Sequence, residues 1–385
     1  MFIDIGSARH KKYNENAYGD YFLSKRTSGR MIAVLSDGLG SGIKASILSC
    51  MTSTMLLKFI ETGADIQSAC ETVMNSLPVC RVRKISYSTF SAIDCSETGA
   101  ARIVEEGNPQ FLWIRSGAVL SPACGVISSK AFPNRKMQIY SIQLALGDRL
   151  IFCSDGVTQA GLGSPAMKFG LRREGLIDCV LKKLEDAPDI SGRGLSRHIA
   201  DYAQQAEVDQ KALDDISAVS LYCRKARESL VLTGPPYHEE KDRQYAKLFI
   251  SFKGKKAICG GTTANILSRE LDIPVESRIS LSSGSVPPAS YMAGVDLVTE
   301  GILTLTRAGE YLESAEAAIP ADAAGQLVKF FLESDCINFM VGAKLNQTHY
   351  DPNFPVEIEL RKNIIKKIAK VLEERYIKKV SVQYI

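Results

Sequence analysis

The stretch Val34–Ser46, VLSDGLGSGIKAS, decides how the first half of the chain is read. An apolar run ends in Ser36-Asp37-Gly38, glycines recur at Gly40 and Gly42, and a helical pattern begins at Ile43. A carboxylate at the end of a buried strand, beside backbone with almost no side chains, can point into a cleft. Gly38 has no Cβ to keep a ligand away from its carbonyl. The chain repeats the device in IFCSDGVTQA, Ile151–Ala160, where Asp155-Gly156 again follows an apolar run.

Around these two points the pattern is one of strands and separate helices. From Ile43 the apolar residues Ile43, Ile47, Met51, Met55 and Phe59 recur every four positions and, with Leu48 and Leu56, predict one core-facing stripe on a helix ending near Thr62. Gly63 suits its C-terminal end. DIQSACETVMNSL predicts a second helix, about Asp65 to Leu77. The segment from Ser88 to Leu120 reads as a meander, its apolar runs separated by SETG, EGNP and RSG. Further strands precede Asp155, two helices follow it, and DDISAVSLYC closes the region as a strand. Strands grouped apart from helices predict α+β layers.

A short charged segment, CRKARES from Cys223 to Ser229, marks a boundary. Beyond it strands alternate with helices, which predicts a second, smaller α/β domain. The expected division is 1–224 and 229–385. In the second part ICGGTTANIL, Ile258–Leu267, places Gly260, Gly261, Thr262 and Thr263 between a strand and a helix. Backbone N–H groups there can hold an anion, with Thr262 or Thr263 as cap. Plain capping explains the same residues, and the segment has neither the Gly-Lys-Ser/Thr of a P-loop nor the three-glycine dinucleotide pattern. GVDLVTEGILTL and SDCINFMVG carry no assignable chemistry, and Asp296, Glu300 and Asp335 are site groups or ordinary surface.

Composition excludes several classes. Of 385 residues, 47 are Lys or Arg and 43 Asp or Glu, a net charge of +4 that argues against nucleic acid or an anionic membrane as the main partner. The ten cysteines include no Cys-x-x-Cys pair and the four histidines are scattered, so a zinc site is not expected. Cysteines in apolar stretches suit a reducing cytoplasm. Asp4 and the lack of an apolar core at the start predict no signal peptide. ILSCMTSTMLLKFI, interrupted by Ser, Thr and Lys, is read as too short to cross a bilayer.

Four carboxylates stand at strand edges: Asp20 in YGDYF, Asp37, Asp155, and Asp214 in LDDIS. Any one alone is ordinary turn chemistry. Held together they would repel unless a cation compensated them, and hard divalent cations prefer such oxygen ligands. Two ions about 3.5–4 Å apart would activate water and clamp the oxygens of a displacement at phosphorus.

The set also resembles a family. Gly-Asp at Asp20, the run Asp37-Gly38-Leu39-Gly40-Ser41-Gly42-Ile43-Lys44-Ala45, the hairpin EEGNPQFLWIR, Asp155-Gly156-Val157-Thr158-Gln159-Ala160, Phe169-Gly170 and Asp214-Asp215-Ile216-Ser217 are similar to the stage II sporulation protein E type of phosphatase, in the metal-dependent phosphatase 2C superfamily. The resemblance covers about residues 1–224 and implies an αββα sandwich with two Mg²⁺ or Mn²⁺ ions at one edge. It implies Asp37 bridging both ions, Asp20 and the Gly38 carbonyl on one, Asp155 and Asp214 on the other, and Asp215 orienting an outer water. It makes Asp37 and Asp155 the catalytic centre for direct attack of activated water on phosphoserine or phosphothreonine. Ser41 departs from the His of many relatives, and no motif fixes a phosphate-gripping cation among Arg9, Lys11 and Lys12. In relatives the first two helices act as a switch; here plain core packing is the favoured reading of the sequence. The implied substrate is a bacterial regulatory phosphoprotein resembling an anti-sigma-factor antagonist, with the second domain as regulator and a homodimer allowed. The competing reading is a catalytically silent fold that docks phosphoproteins. A third is a nucleotide-dependent second half.

Overall fold

The computed structural model describes residues 1–76, 88–128, 135–165, 167–276, 287–314, 319–342 and 354–385. The chain forms two compact units, Met1–Lys225 and Ala226–Ile385.

The first unit opens with β1 (Phe2–His10), β2 (Asp20–Thr27) and β3 (Arg30–Gly38), followed by α1 (Gly42–Glu61) and α2 (Ile66–Ser76). The meander supplies β4 (Ser88–Ser96), β5 (Ala100–Glu106), β6 (Leu112–Arg115), β7 (Ala118–Leu120), β8 (Gly125–Ser128) and β9 (Lys136–Gln143). Then come β10 (Arg149–Cys153), a short α3 (Asp155–Gln159), α4 (Arg172–Asp186), α5 (Gly192–Ala206) and β11 (Ile216–Arg224). These strands make two antiparallel sheets, β1-β11-β10-β6-β7 and β2-β3-β4-β5-β9-β8.

Period-two alternation sets the layers. On β3, Ile32 and Val34 face α1 and α2, joining Leu56, Ile60, Val73, Phe90 and Val104 in one apolar cluster. The intervening Met31, Ala33 and Leu35 are equally buried on the other face. There Phe111 meets Tyr140 of one sheet edge-on at 5.0 Å and Phe152 of the other stacked at 5.5 Å, so the two sheets pack face to face. Ile151, Cys153, Ile216 and Ala218 turn outward onto α4 and α5. The result is the αββα sandwich that the resemblance implied.

α1 corrects one expectation. The apolar stripe assigned to the core is largely the exposed one: Ile43, Ile47, Met51 and Phe59 are 70%, 54%, 50% and 37% exposed. The helix instead buries Gly42, Ala45, Ser49, Thr52, Ser53, Leu56, Leu57 and Ile60. The reason is close approach. A Cβ on Gly38 would overlap the Ala45 carbonyl, so only small residues fit where α1 crosses the end of β3. The buried hydroxyls are satisfied locally: Thr52 donates to the Leu48 carbonyl and Ser53 to that of Tyr21. Its 20 residues are also long and apolar enough to cross a membrane by length and composition alone, contrary to the estimate from sequence. In this fold the helix lies along β2 and β3 as a sandwich layer. Gly63, at φ 97°, ends it as expected. Leu77, the expected end of α2, lies outside the described residues.

The second unit is a parallel sheet. Its elements are β12 (Glu228–Thr233), α6 (Asp242–Ser251), β13 (Lys255–Cys259), α7 (Gly261–Leu271), β14 (Val275–Glu276), β15 (Tyr291–Met292), β16 (Leu297–Thr299), α8 (Ile302–Glu313), α9 (Ala323–Glu333), β17 (Cys336–Val341), α10 (Phe354–Glu374) and β18 (Lys379–Tyr384). The order is β16-β13-β12-β17-β18, every pair parallel. Leu230, Leu232 and Ile258 face α6 and α7; Val231, Ala257, Ile337 and Phe339 face α8, α9 and α10. GVDLVTEGILTL thus resolves into β16 and the start of α8. Asp335 is a structural group: fully buried, it accepts from the Arg227 backbone N–H at 2.8 Å and from its guanidinium.

Candidate metal centre

Asp20 and Asp37 are direct partners across the β2–β3 ladder. Their side chains therefore share a face, and like charges placed opposite each other destabilise a sheet. Asp155 follows β10 as the first residue of α3, and Asp214 precedes β11, which pairs with β10. Burial and the charges of Asp20, Asp155 and Asp214 push the Asp37 carboxyl well up. Burial likewise raises Asp20, with the Ser154 and Ser217 hydroxyls offsetting part of the effect and Asp215 and Asp214 adding to it. Asp214 is raised by burial. The four acids thus converge at one edge of the facing sheets.

Local backbone holds that edge closed. A Cβ on Gly156 would overlap the Asp215 carbonyl oxygen, so α3 can approach β11 only with glycine there. Ser154 donates its hydroxyl to the Asp215 carbonyl at 3.2 Å and accepts from the Ser217 N–H at 3.0 Å. Gln159 donates to Asp155 at 2.8 Å. Asp215 accepts from the N–H groups of Gly19 at 2.8 Å and Lys12 at 3.2 Å. It ties the loop before β2 to the start of β11. Ser41 donates to Glu15 at 2.6 Å, a partnership nothing in the sequence announced.

Among the candidate cations, the Lys12 ammonium stands 4.0 Å from Asp214. The Arg9 guanidinium lies 3.9 Å from the Tyr18 ring centre and reaches the Asp20 carbonyl at 3.4 Å. Lys11 is 6.0 Å from the same ring centre. Asn108, in the EEGNP turn, donates to the Leu35 carbonyl and the Ser91 hydroxyl. Gly260, Gly261, Thr262 and Thr263 belong to the second unit, at the start of α7.

The donor set fits a hard divalent cation. Asp20 Oδ2 and Asp155 Oδ1 are buried oxygens without a hydrogen-bond partner, and buried carboxylates demand either protons or cations. Among the described residues, however, no three His, Cys, Asp or Glu side chains are gathered closely enough to form a ready cage. The carboxylates converge, and Asp20 is the strongest in effect of the charges that raise Asp37.

Helices outside two facing antiparallel sheets, with acids at one shared edge, place the first unit in the αββα class of sandwich folds. Within that class the chain belongs to the stage II sporulation protein E (SpoIIE) family, whose model matches residues 27–224. It is 28% identical over 158 residues to stage II sporulation protein E of Bacillus subtilis, covering 40% of this chain and 19% of that protein. The match thus spans about a fifth of the relative's length. Similar solved structures include the phosphatase domain with a regulatory fragment of Bacillus subtilis SpoIIE (TM-score 0.47, 21% identity, 57% of this chain and 63% of that one). Another holds the RsbU and RsbW domains of a Mycobacterium tuberculosis protein (TM-score 0.46, 16% identity, 64% and 67%).

Proposed function

We propose that the first unit is a metal-dependent protein serine/threonine phosphatase acting on a bacterial regulatory phosphoprotein. The observation that carries this reading is the facing pair Asp20 and Asp37 with Asp155 and Asp214 at the same edge. Four carboxylates held together cannot all ionise without compensation, and two Mn²⁺ or Mg²⁺ ions would supply it. Bound there, the ions would lower the pKa of water and polarise the phosphoryl oxygens.

The chain's own groups have distinct tasks. Asp20, Asp37, the Gly38 carbonyl, Asp155 and Asp214 would hold the ions. Gln159 donates to the Asp155 carboxylate, and the Ser217 hydroxyl offsets part of the burial that raises Asp20. Lys12 and Arg9 supply positive charge for phosphoryl oxygens. Asp215 positions backbone and carries no ligand duty in this assignment. The second unit is assigned a regulatory role, and the substrate resembles an anti-sigma-factor antagonist. Nine described cysteines are free thiols, in keeping with a reducing cytoplasm.

The test is phosphate release from a phosphoserine peptide. With Mn²⁺ or Mg²⁺ the wild type turns over, and EDTA abolishes the reaction. Asp37→Ala and Asp155→Asn each lower kcat/KM by roughly 100-fold or more while the melting temperature stays within a few degrees. Wild-type rates in both variants, or no hydrolysis with any metal, would instead support a silent phosphoprotein-docking fold.

A further inference from the structure

The second unit contains a crevice that the phosphatase reading does not use. In chain order its strands run third, second, first, fourth, fifth across the sheet. Sheets wound in this way bind ligands outside the carboxyl ends of their strands. At that edge a crevice of about 380 Å³ is lined by Gly260, Gly261, Thr262, Thr263, Glu300 and Arg361.

Each wall has a definite chemistry. α7 is 11 residues long and starts without a side-chain cap, so its first N–H groups present the positive end of the helix. Gly260 has φ 141°, a backbone conformation reserved for glycine, and its N–H is tied to the Thr299 carbonyl at 2.9 Å. That bond fixes the turn against β16. Thr263 is 1% exposed, yet its hydroxyl has no hydrogen-bond partner and faces Gly260 and the crevice. A buried hydroxyl left unsatisfied costs free energy that a ligand oxygen would recover. Opposite, the Arg361 guanidinium lies over Gly234, where a Cβ would stand 2.7 Å from Nη1. These groups together suit a phosphate.

Glu300 does not. It follows β16, the parallel neighbour of β13, and its Oε2 is buried without a partner. A carboxylate repels phosphate but accepts hydrogen bonds from hydroxyls. A glycine turn opening a helix, followed by an acid at the end of the next parallel strand, places a phosphate and a sugar side by side. The volume also exceeds what inorganic phosphate would fill.

We propose that the second unit binds a ribonucleotide, its phosphate at the start of α7 with Thr263 and Arg361, and its ribose 2′-hydroxyl donating to Glu300. The experiment is isothermal titration calorimetry of the full chain in EDTA, so that divalent-dependent binding of phosphate to the first unit is suppressed. AMP and ADP are expected to bind saturably, with inorganic phosphate, adenosine and 2′-deoxy-AMP each at least about tenfold weaker. Thr263→Val and Arg361→Gln weaken AMP about tenfold or more, and Glu300→Gln erases the preference over 2′-deoxy-AMP. No saturable heat with AMP or ADP up to millimolar concentration would overturn the proposal. So would equal affinity for AMP and inorganic phosphate, or for AMP and 2′-deoxy-AMP, or variants that bind as the wild type does. Should Thr263→Val fail to fold, Glu300→Gln, which keeps the shape of the side chain, carries the same decision.

Discussion

At the scale of single residues, buried acids govern how this chain responds to pH. Glu105 on β5 is the clearest case outside the carboxylate edge. Burial pushes its carboxyl up to about 8, although the Phe111 N–H and the Ser91 hydroxyl both favour the charged form. With the folded value above the unfolded one, the native state binds the extra proton between about 4.5 and about 8. This contribution to stability is present in full below that window and is lost as pH rises through it. Glu105→Gln, which keeps the shape and drops the charge, should match the wild type near pH 4.5 and exceed it by a few kcal/mol, in order of magnitude, near pH 9. Urea titrations in EDTA across that range measure the difference; parallel pH profiles for the two proteins would refute it. Residues of this kind were not legible in the sequence. Glu105 sits in EEGNP, which reads only as a turn, and its burial depends on Ser91 and Phe111 arriving from other segments. The acids beside glycine were legible, because Asp-Gly after an apolar run is a local pattern. Ser154, Ser217 and Gln159, which orient them, were not, since their partners lie on other strands or cap a helix too short to recognise.

At the scale of elements, α1 shows why periodicity alone misleads. Its limits were readable from spacing and from Gly63. Its buried face was not, because apolar residues were taken to mark the core. Contact with β3 requires small side chains, and the stripe of large ones faces away. The energetic consequence is measurable. Leu56→Ala removes a fully buried side chain and should cost about 2–5 kcal/mol. Ile47→Gln, at 54% exposure, should change stability by less than ~0.5 kcal/mol. Denaturant melts of the two variants decide the matter; a large loss at Ile47 would mean the stripe is covered. The strands of the meander were readable from their turns, and α8 was not, because GILTL merges with the preceding short strand.

At the scale of the whole molecule, the carboxylate edge should link cation binding to folding. A divalent ion that binds only the native state stabilises it by mass action, by about 2.7 kcal/mol at a hundred times its dissociation constant. Saturating Mn²⁺ should therefore raise the melting midpoint of the full chain, and the rise should vanish in Asp37→Ala. An equal rise in both proteins would place the ion elsewhere. The contact pattern makes Met1–Lys225 a compact unit with both of its sheets complete. Expressed alone, that segment should melt cooperatively and keep the Mn²⁺-dependent rise; a broad, ion-insensitive melt would show that it needs the remainder. The broad architecture of both halves was legible, since runs of strands and alternating strands and helices are signals that extend over many residues. The convergence of chain-distant acids followed from motif order by resemblance, and spacing alone could not supply it.

The β2–β3 hairpin also works as a ruler. Asp20 and Asp37 face each other at one end, and the two-residue turn Ser28-Gly29 closes the other, with Gly29 at φ 78°. Inserting or deleting one residue in that distant turn would slide one strand past the other and send every side chain to the opposite face. The length of a surface turn some 20–25 Å away, at about 3.3 Å per residue, is therefore under the same constraint as the acids themselves.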